Sequence, residues 1–278
     1  GQRRFGFHKK ALMRHPLAGF QKRTSMGSRL AAPVGAALLL LCIWWLAALF
    51  KGSTYLPGPE AVFLEAFGLV VSGEFLRHFI ATLGRIAGGF CLALLGGGLV
   101  ACLMRGNEFL TRFFQFQVTL GLTIPSLAWS VIAIMAFGLT NAAAIFTAVA
   151  VTTPIVTTTL FEGIKSLDRD LTEVSDVYRL DWRNHLRLIV FPQLLPYLFA
   201  AGRTGIGLAW KTVVITEAFG LTDGLGYQIA YSFSLLSMRG VLAWTLLFTV
   251  AMMAVEYWLL QRVERRLFLW KPQAESLP

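Results

Sequence analysis

Long apolar stretches constrain this chain more than any other feature of its sequence. Several reach the roughly 20 residues that an α-helix needs to cross about 30 Å of hydrocarbon. Hydrophobic residues make up 56% of the 278 residues, and charged residues only 14%. Inside a bilayer the backbone must satisfy its own hydrogen bonds, which favours helices, and the alternating pattern of a β-barrel is absent. The sequence therefore predicts an all-α polytopic membrane protein.

Six spans are predicted, separated by turn residues and charged residues. Pro125 interrupts the third span, removes one internal hydrogen bond and should kink that helix. Gly84 and Gly88 in the second span form a small-xxx-small pair, which lets helices approach closely in lipid. A short amphipathic helix is predicted before the second span. The approximate bounds of the spans are 30–50, 77–103, 113–137, 142–161, 196–218 and 240–260.

The 25 Lys and Arg residues are distributed unevenly along the chain. Only Lys51, Arg77 and Arg239 fall on the outer side of the predicted spans, whereas most others fall on the side of the termini. By the positive-inside rule both termini are cytoplasmic, the N-in/C-in arrangement. The positive charge is assigned to topology, so no nucleic-acid partner is predicted. The resulting units are a basic tail (1–29), a transmembrane domain (30–270) and a C-terminal tail (271–278).

Catalytic and metal-binding patterns are missing from the sequence. It contains no G-x-x-x-x-G-K-[ST], no H-E-x-x-H and no G-x-S-x-G. Cys42, Cys91 and Cys102 lie in apolar runs and are predicted to be small packing residues, neither disulfides nor metal ligands. We therefore predict no catalytic residues, no metal site and no enzyme activity in this chain.

Charged residues inside predicted spans are functional candidates, because burying them is costly. Arg85, Arg203 and Glu217 lie near span ends, where they can snorkel or pair, whereas Lys211 lies deeper. Arg203, Gly207 and Lys211 recur every four residues, so they share one face of span five. That stripe suits a pathway for small anions, and it equally suits a packed helix interface.

The longest polar interruption runs from Glu173 to Pro192, EVSDVYRLDWRNHLRLIVFP. Its spacing predicts two short helices, joined by a turn at Arg179 and Leu180, with Asp181 capping the second, which ends at Pro192. Helices that lie on a bilayer are usually basic, whereas the first helix is acidic, which favours a docking partner. Its predicted apolar stripe consists of Leu167, Leu171, Val174 and Tyr178.

This block resembles the EAA loop of ABC importer permeases, whose pattern is E-A-A, three residues, G, nine residues, I-x-L-P. Glu173, Ile189 and Pro192 match that pattern at its spacing. Arg179 stands where the family has Gly, and a turn that needs positive φ disfavours Arg there. The loop so identified covers residues 163–195.

The resemblance extends from about Leu56 to Trp270. The stretches LPGPEAV, ATLGRIAGGF, TIPSLAW, FGLTNAAAIF, GIGLAWK, TEAFG and GLGYQI occur in the order and spacing of the nitrate/sulfonate/taurine branch. The chain is identified as a member of this family. This implies the type I ABC importer transmembrane fold, in the bacterial cytoplasmic membrane.

The resemblance also implies partners. They are a second permease subunit (an identical copy or a paralogue), two cytoplasmic ATPase subunits and a periplasmic or lipid-anchored solute-binding protein. ATP and Mg²⁺ would be held by the ATPases, and no cofactor is expected in this chain. The polar block would dock in a groove of the ATPase. The coupling residues would be Leu171, Glu173, Val174, Asp176, Val177, Tyr178, Arg179 and Leu180.

The transported solute is expected to be a small anion, such as a sulfonate, taurine, nitrate or bicarbonate. The candidate pathway residues are Pro125, Arg203, Gly207, Lys211 and Glu217. The alternative is a secondary transporter or channel that runs on an ion gradient. It would need intramembrane acids for ion coupling, and only Glu217 offers itself.

Overall fold

The computed structural model describes residues 26–51, 56–260 and 262, and within this part every regular element is a helix. Most of the predicted basic tail and the whole C-terminal tail lie outside the described residues. The helices are α1 (Met26–Lys51), α2 (Pro59–Val71), α3 (Glu74–Met104), α4 (Glu108–Thr123), α5 (Ser126–Phe137), α6 (Asn141–Lys165), α7 (Arg169–Val177), α8 (Trp182–His185), α9 (Phe191–Gly220), α10 (Leu225–Ser234) and α11 (Met238–Ala254). Two π-helical segments, Leu186–Val190 and Val255–Leu260, precede α9 and follow α11.

Three helices of the described chain are long and apolar enough to cross a membrane: α3, α6 and the segment Met238–Tyr257 that contains α11. The pair α4 and α5 makes a fourth candidate if it counts as one bent span. Helix α1 is apolar over the shorter stretch Val34–Phe50. Helix α9 has 30 residues but carries three charged side chains. The chain is a multi-pass membrane protein, and the count of six spans stays a prediction.

Helices α3, α6 and α9 form the centre of the molecule, with α5 and α10 packed against them. Small residues let α3 and α6 approach closely. A Cβ added to Gly89 would lie 2.5 Å from the Cβ of Ala148, and one added to Gly97 would lie 2.8 Å from Val156 Cγ1. Lipid tails are as apolar as these side chains, so burial alone does not drive helices together in a bilayer. Close packing of this kind stabilises the helix pair through van der Waals contacts.

The predicted pair Gly84 and Gly88 makes no close helix contact within the described chain. Gly84 has no atom within 4 Å of an added Cβ, and Gly88 has only ordinary contacts with Ile145. The buried small residues of α3 also recur at every fourth position, but their register is shifted by one residue from that of Gly84 and Gly88. They therefore occupy a neighbouring face of the helix. They are Gly89, Ala93, Gly97 and Ala101.

The helix break at Pro125 is larger than the predicted kink. Helix α4 ends at Thr123, Ile124 and Pro125 have extended backbone, and α5 begins at Ser126. The axes of α4 and α5 differ by 98°. A Pro removes a hydrogen bond and clashes with the preceding turn, and the residue before it avoids helical backbone. Pro154, by contrast, stays inside α6.

Two further predictions need correction. Helix α8 does not end at Pro192, because it continues through the π-helical segment into α9, where Pro192 occupies the first turn. Pro192 directly follows the π-helical segment, in which the Phe191 N–H donates to the Leu186 carbonyl and the ordinary α-helical hydrogen-bond pattern is already interrupted. The three cysteines are free and exposed on the surface of the chain, so they do not fill its interior.

Candidate functional site

The turn after α7 adopts a left-handed conformation. Arg179 has φ 47°, and the N–H of Leu180 donates to the carbonyl of Ser175 at 3.0 Å. This bond closes a Schellman cap, which places the residue after the helix in left-handed backbone. Such backbone costs a residue with a Cβ about 1–2 kcal/mol. The position where Arg replaces the family's Gly is therefore the position that requires positive φ.

Residues 169–185, which we term the connector, expose apolar side chains. Val177 is 79% exposed, Tyr178 75% and Trp182 68%, and Leu171 is exposed as well. Several large apolar side chains exposed within one short segment are typical of an interaction site. Among the other predicted coupling residues, Glu173 and Arg179 are exposed and Leu180 is partly buried. The side chains of Val174 and Asp176 lie outside the described part.

Side-chain hydrogen bonds hold the base of the connector. The hydroxyl of Ser175 and Nδ1 of His185 are 2.8 Å apart, which joins α7 to α8. The side chain of Gln193 accepts from the N–H of Asp168 at 2.8 Å and donates to the carbonyl of Ile189 at 3.1 Å. Gln193 thus fixes the entry to α7 against the beginning of α9.

The three residues that match the EAA pattern occupy different positions. Glu173 is exposed on α7, and Pro192 is exposed in the first turn of α9. Ile189 lies in the π-helical segment and lines a cavity of about 350 Å³ beneath the connector. The pattern is therefore spread over the exposed surface of α7, the π-helical segment and the start of α9.

The middle of α9 presents a cationic face that is exposed within the described part of the chain. Arg203 and Lys211 are both exposed, and no atom lies within 4 Å of a Cβ added to Gly207. Arg203 Nη2 lies 3.8 Å from Glu256 Oε1, and Lys211 Nζ lies 5.8 Å from the ring centre of Trp210. The prediction that these residues share one face is confirmed.

Glu217 lies away from this face, inside an ion-pair cluster. It is 1% exposed, and its carboxylate accepts from Arg85 Nη1 at 2.7 Å, the Thr82 hydroxyl at 2.9 Å and the Gly226 N–H at 3.0 Å. Three donors and a full counter-charge satisfy the buried acid. Within the described chain Glu217 is therefore placed as a structural anchor and not beside Lys211.

Arg85 is the centre of the same cluster and is 4% exposed. Its Nε donates to Asn141 Oδ1 at 2.7 Å, and its guanidinium also bonds the side chain and the carbonyl of Asp223. The expectation that Arg85 pairs is confirmed. Sequence reasoning missed Asp223, Asn141 and Thr82 as partners. The available signal was the occurrence of opposite charges near the outer ends of two different predicted spans.

The loop after α9 is fastened to α3 by further polar contacts. The N–H of Gly224 donates to His78 Nδ1 at 3.0 Å, and the N–H of Leu225 donates to the Thr82 hydroxyl at 2.9 Å. The side chain of Gln228 meets His78 Nε2 at 2.7 Å. These contacts tie the start of α10 to α3.

Pro125 lies neither on the cationic face of α9 nor in the ion-pair cluster around Arg85. It separates α4 from α5, beside a cavity of about 480 Å³ that is bounded by α3, α4, α5 and α6. Trp129 and Thr153 are among the residues that line this cavity, although the indole Nε1 of Trp129 and the hydroxyl of Thr153 are themselves buried. Neither residue was predicted as a site residue, because a single Trp or Thr in an apolar helix carries no distinctive sequence pattern.

Comparison with known proteins places the chain among transport subunits. Residues 93–269 match the family described as binding-protein-dependent transport system inner membrane component. The nitrate import permease protein NrtB of Synechocystis sp. is 32% identical over 219 residues, covering 74% of this chain and 78% of that protein. The bicarbonate transport system permease protein CmpB of Synechococcus elongatus is 32% identical, covering 72% and 76%.

A third relative and one solved structure agree with these matches. The putative aliphatic sulfonates transport permease protein SsuC of Bacillus subtilis is 28% identical and covers 81% of each chain. A crystal structure of an amino acid ABC transporter with histidines has the same fold. It superposes with a TM-score of 0.58 at 16% identity, over 71% of this chain and 96% of that one.

Proposed function

Because this chain belongs to the family of ABC importer permeases described as binding-protein-dependent transport system inner membrane components, we propose that it forms the translocation pathway for a small oxoanion. A binding protein delivers the anion at the outer side. Two cytoplasmic ATPase subunits drive its release at the inner side. The chain itself is a transport subunit, and ATP hydrolysis takes place on the partner.

The exposed apolar surface of the connector is the observation that carries this proposal. Val177, Tyr178 and Trp182 project from a segment that also carries acidic and basic side chains. Exposed aromatic and aliphatic groups surrounded by charge are typical of a docking surface for a protein. A groove of the ATPase is the partner that the family membership supports, and the connector is then the coupling element.

The cationic face of α9 supports a pathway between two permease subunits. A Lys in the middle of a span faces a protein interior or a water-filled cavity, because hydrocarbon penalises its charge. The described residues leave Arg203 and Lys211 exposed, so a second copy facing the first would enclose them. We therefore place the pathway between two copies, with Arg203, Gly207 and Lys211 along its wall.

The relatives narrow the class of solute. Their names refer to nitrate, bicarbonate and aliphatic sulfonates. All three are small anions with one negative charge shared by two or three oxygens. Cationic side chains on the α9 face would attract such anions into the pathway. We propose that the solute of this transporter belongs to the same chemical class.

Six spans with cytoplasmic termini, in a bacterial cytoplasmic membrane, complete the proposal. With this topology the connector lies in the cytoplasm, and the cluster around Arg85 lies near the outer surface. When the ATPases close on ATP, the two connectors approach each other, and the spans rock to open outward. Because α8 runs through the π-helical segment into α9, movement of the connector acts directly on the helix that carries Lys211.

Disruption of the docking surface tests the coupling step. Val177→Asp and Tyr178→Asp place charge on the exposed surface without burying it, so the permease should fold normally. We expect both variants to lose most of the ATPase subunit during co-purification. Phe233→Asp on α10, an exposed aromatic position at the opposite end, is the matched control and should retain it. Undiminished co-purification and transport in the two connector variants would show that another surface contacts the ATPase.

A further inference from the structure

The backbone conformation of Arg179 is one that any residue with a Cβ disfavours. Among the described residues, only Arg179 and Leu236 have positive φ without being glycine. In left-handed backbone the Cβ lies too close to the following carbonyl oxygen, a cost that Gly escapes. Arg179 therefore makes this turn less stable than Gly would, and strained residues of this kind concentrate at functional sites.

The turn that contains Arg179 is fixed by contacts on its inner side. The Leu180 N–H donates to the Ser175 carbonyl at 3.0 Å, and Leu180 is partly buried. Ser175 is 2% exposed, and its hydroxyl lies 2.8 Å from His185 Nδ1. The backbone on both sides of Arg179 is therefore held in place, which sets the direction in which its side chain leaves the chain.

The guanidinium of Arg179 is unpaired within the described part of the chain. The residue is exposed, and no hydrogen bond, ion pair or ring contact joins its side chain to a group that the structure describes. The guanidinium of Arg183, by contrast, lies 5.4 Å from the ring centre of Trp182. The side chain of Arg179 is therefore available to a group outside this chain.

The surroundings of Arg179 match a docking surface for a protein. Val177, Tyr178 and Trp182 lie close to it in the sequence and expose most of their side chains. Arg and aromatic residues are enriched in protein interfaces and among the residues that contribute most to binding. When such an apolar surface is covered, water is excluded and a hydrogen bond from a charged group becomes strong.

The charges of the connector favour a protein partner over the membrane surface. Asp170 and Glu173 are exposed on α7. Helices that lie on a bilayer carry basic residues on their polar face, and anionic headgroups repel carboxylates. In a protein the group that fits a guanidinium best is a carboxylate, because its two oxygens match the planar fork.

We propose that Arg179 is a contact residue for the ATPase and that its guanidinium pairs with a carboxylate in the groove that receives the connector. The proposal rests on the function proposed above and deepens it. The left-handed turn destabilises the free connector, and the ion pair formed on docking more than offsets this loss in the complex. Gly at position 179 would have the opposite effects, a more stable turn and a weaker contact.

Substitutions at position 179 separate the charge from the backbone conformation. Arg179→Gly and Arg179→Asn remove the charge and suit left-handed backbone, whereas Arg179→Lys keeps both the charge and the strain. The permease is placed in nanodiscs of phosphatidylcholine, with and without phosphatidylglycerol, and its affinity for the ATPase subunit is measured by biolayer interferometry. In both lipids we expect the two uncharged variants to bind about tenfold more weakly, the equivalent of one charged hydrogen bond. Arg179→Lys should bind with intermediate affinity, because Lys lacks the planar fork.

Amide hydrogen exchange of the permease without its ATPase measures the effect on the turn. We expect the Leu180 N–H to exchange more slowly in Arg179→Gly than in the original protein, since the relaxed turn opens less often and keeps the bond to Ser175. Arg112→Gln is the matched control, because it removes an exposed Arg of α4 outside the connector. It should change neither the affinity for the ATPase nor the exchange at Leu180.

Three results would overturn the role of Arg179. The uncharged variants could bind the ATPase as tightly as the original protein does. Arg179→Lys could bind as weakly as Arg179→Gly, which would show that the charge makes no contribution. The affinity could fall only in nanodiscs that contain phosphatidylglycerol, in which case Arg179 contacts anionic lipid.

The aspartate substitutions at Val177 and Tyr178 distinguish failure of this inference from failure of the proposed function. If Val177→Asp and Tyr178→Asp lose the ATPase but Arg179→Gly binds it normally, the connector docks and only the role of Arg179 is wrong. If all three variants bind the ATPase and support transport, the connector is not the docking surface, and the proposed coupling is wrong as well.

Discussion

At the scale of single residues, the charged side chains of the predicted spans form two groups, one buried and paired and the other exposed. Arg85 and Glu217 neutralise each other in a buried pair, whereas Arg203 and Lys211 stay on an uncovered face. An acid that couples an ion gradient must exchange its ligand during the cycle. Glu217 is instead bonded by one guanidinium, one hydroxyl and one backbone N–H. This arrangement favours an anchoring role and does not favour the secondary-transporter alternative.

Loss of one member of this pair should destabilise the protein strongly. Glu217→Ala removes one of the two carboxylates that bond Arg85 and leaves the donors of Thr82 and Gly226 without that acceptor, while Asp223 remains as a counter-charge, so the cost should be about 1–3 kcal/mol. We expect a large fall in the thermal unfolding temperature of the detergent-solubilised protein. Arg112→Ala breaks an exposed pair with Glu108 and should change stability by about 0–1 kcal/mol at most. Equal unfolding temperatures for the two variants would contradict the anchoring role.

At the scale of helices, the close approach of α3 and α6 organises the interior. Thr157 reinforces it, because its hydroxyl donates to the carbonyl of Gly97 at 3.3 Å across the interface. Next to this contact, Gly121 of α4 lies so near Pro154 that an added Cβ would be 2.6 Å from its ring. Helix α6 is thus held from two sides by glycines of its neighbours.

A larger side chain at the α3–α6 contact should prevent correct packing. Gly89→Leu would force α3 away from Ala148 on α6, since the added Cβ alone is already too close. We expect loss of the monodisperse peak in size-exclusion chromatography of the solubilised protein. Gly84→Leu lies one face away, where the added Cβ meets no atom within 4 Å, and should leave that peak intact. If Gly84→Leu lost the monodisperse peak and Gly89→Leu kept it, Gly84 and Gly88 would be the contact pair, as the sequence alone suggested.

Helix positions and the family could be predicted from the sequence because hydrophobic stretches and motifs are recognised along the chain without knowledge of the packing. Contacts between helices could not be predicted in this way. The spacing of Gly84 and Gly88 is as good as that of Gly89 and Ala93, and only the partner helix distinguishes the two faces. Nor could the sequence show that Trp129 lines a cavity, because four different helices form that cavity.

The backbone conformation at Arg179 also could not be predicted from the sequence alone. The sequence indicated a turn and the unusual residue within it. The positive φ became visible only in the backbone, because the cap that demands it depends on where α7 ends. The family motif predicted the position correctly, although Arg is a poor residue for it.

At the scale of the whole molecule, the structure divides into two ends joined by α9. One end carries the connector with its exposed apolar surface, and the other carries the cluster of Arg85, Glu217 and Asp223. Helix α9 extends from the π-helical segment to this cluster and carries Lys211 between them. We expect the two ends to move in concert, since one continuous helix connects the connector to the anchored loop after α9.

Uptake by proteoliposomes that contain the permease, its ATPase and its binding protein tests most directly whether this chain works in an ATP-driven importer of oxoanions. Radiolabelled nitrate, bicarbonate and ethanesulfonate are supplied outside, with ATP and Mg²⁺ enclosed or omitted. We expect uptake of an oxoanion only when ATP and the binding protein are both present. Uptake that continues without ATP and follows an imposed ion gradient would contradict it.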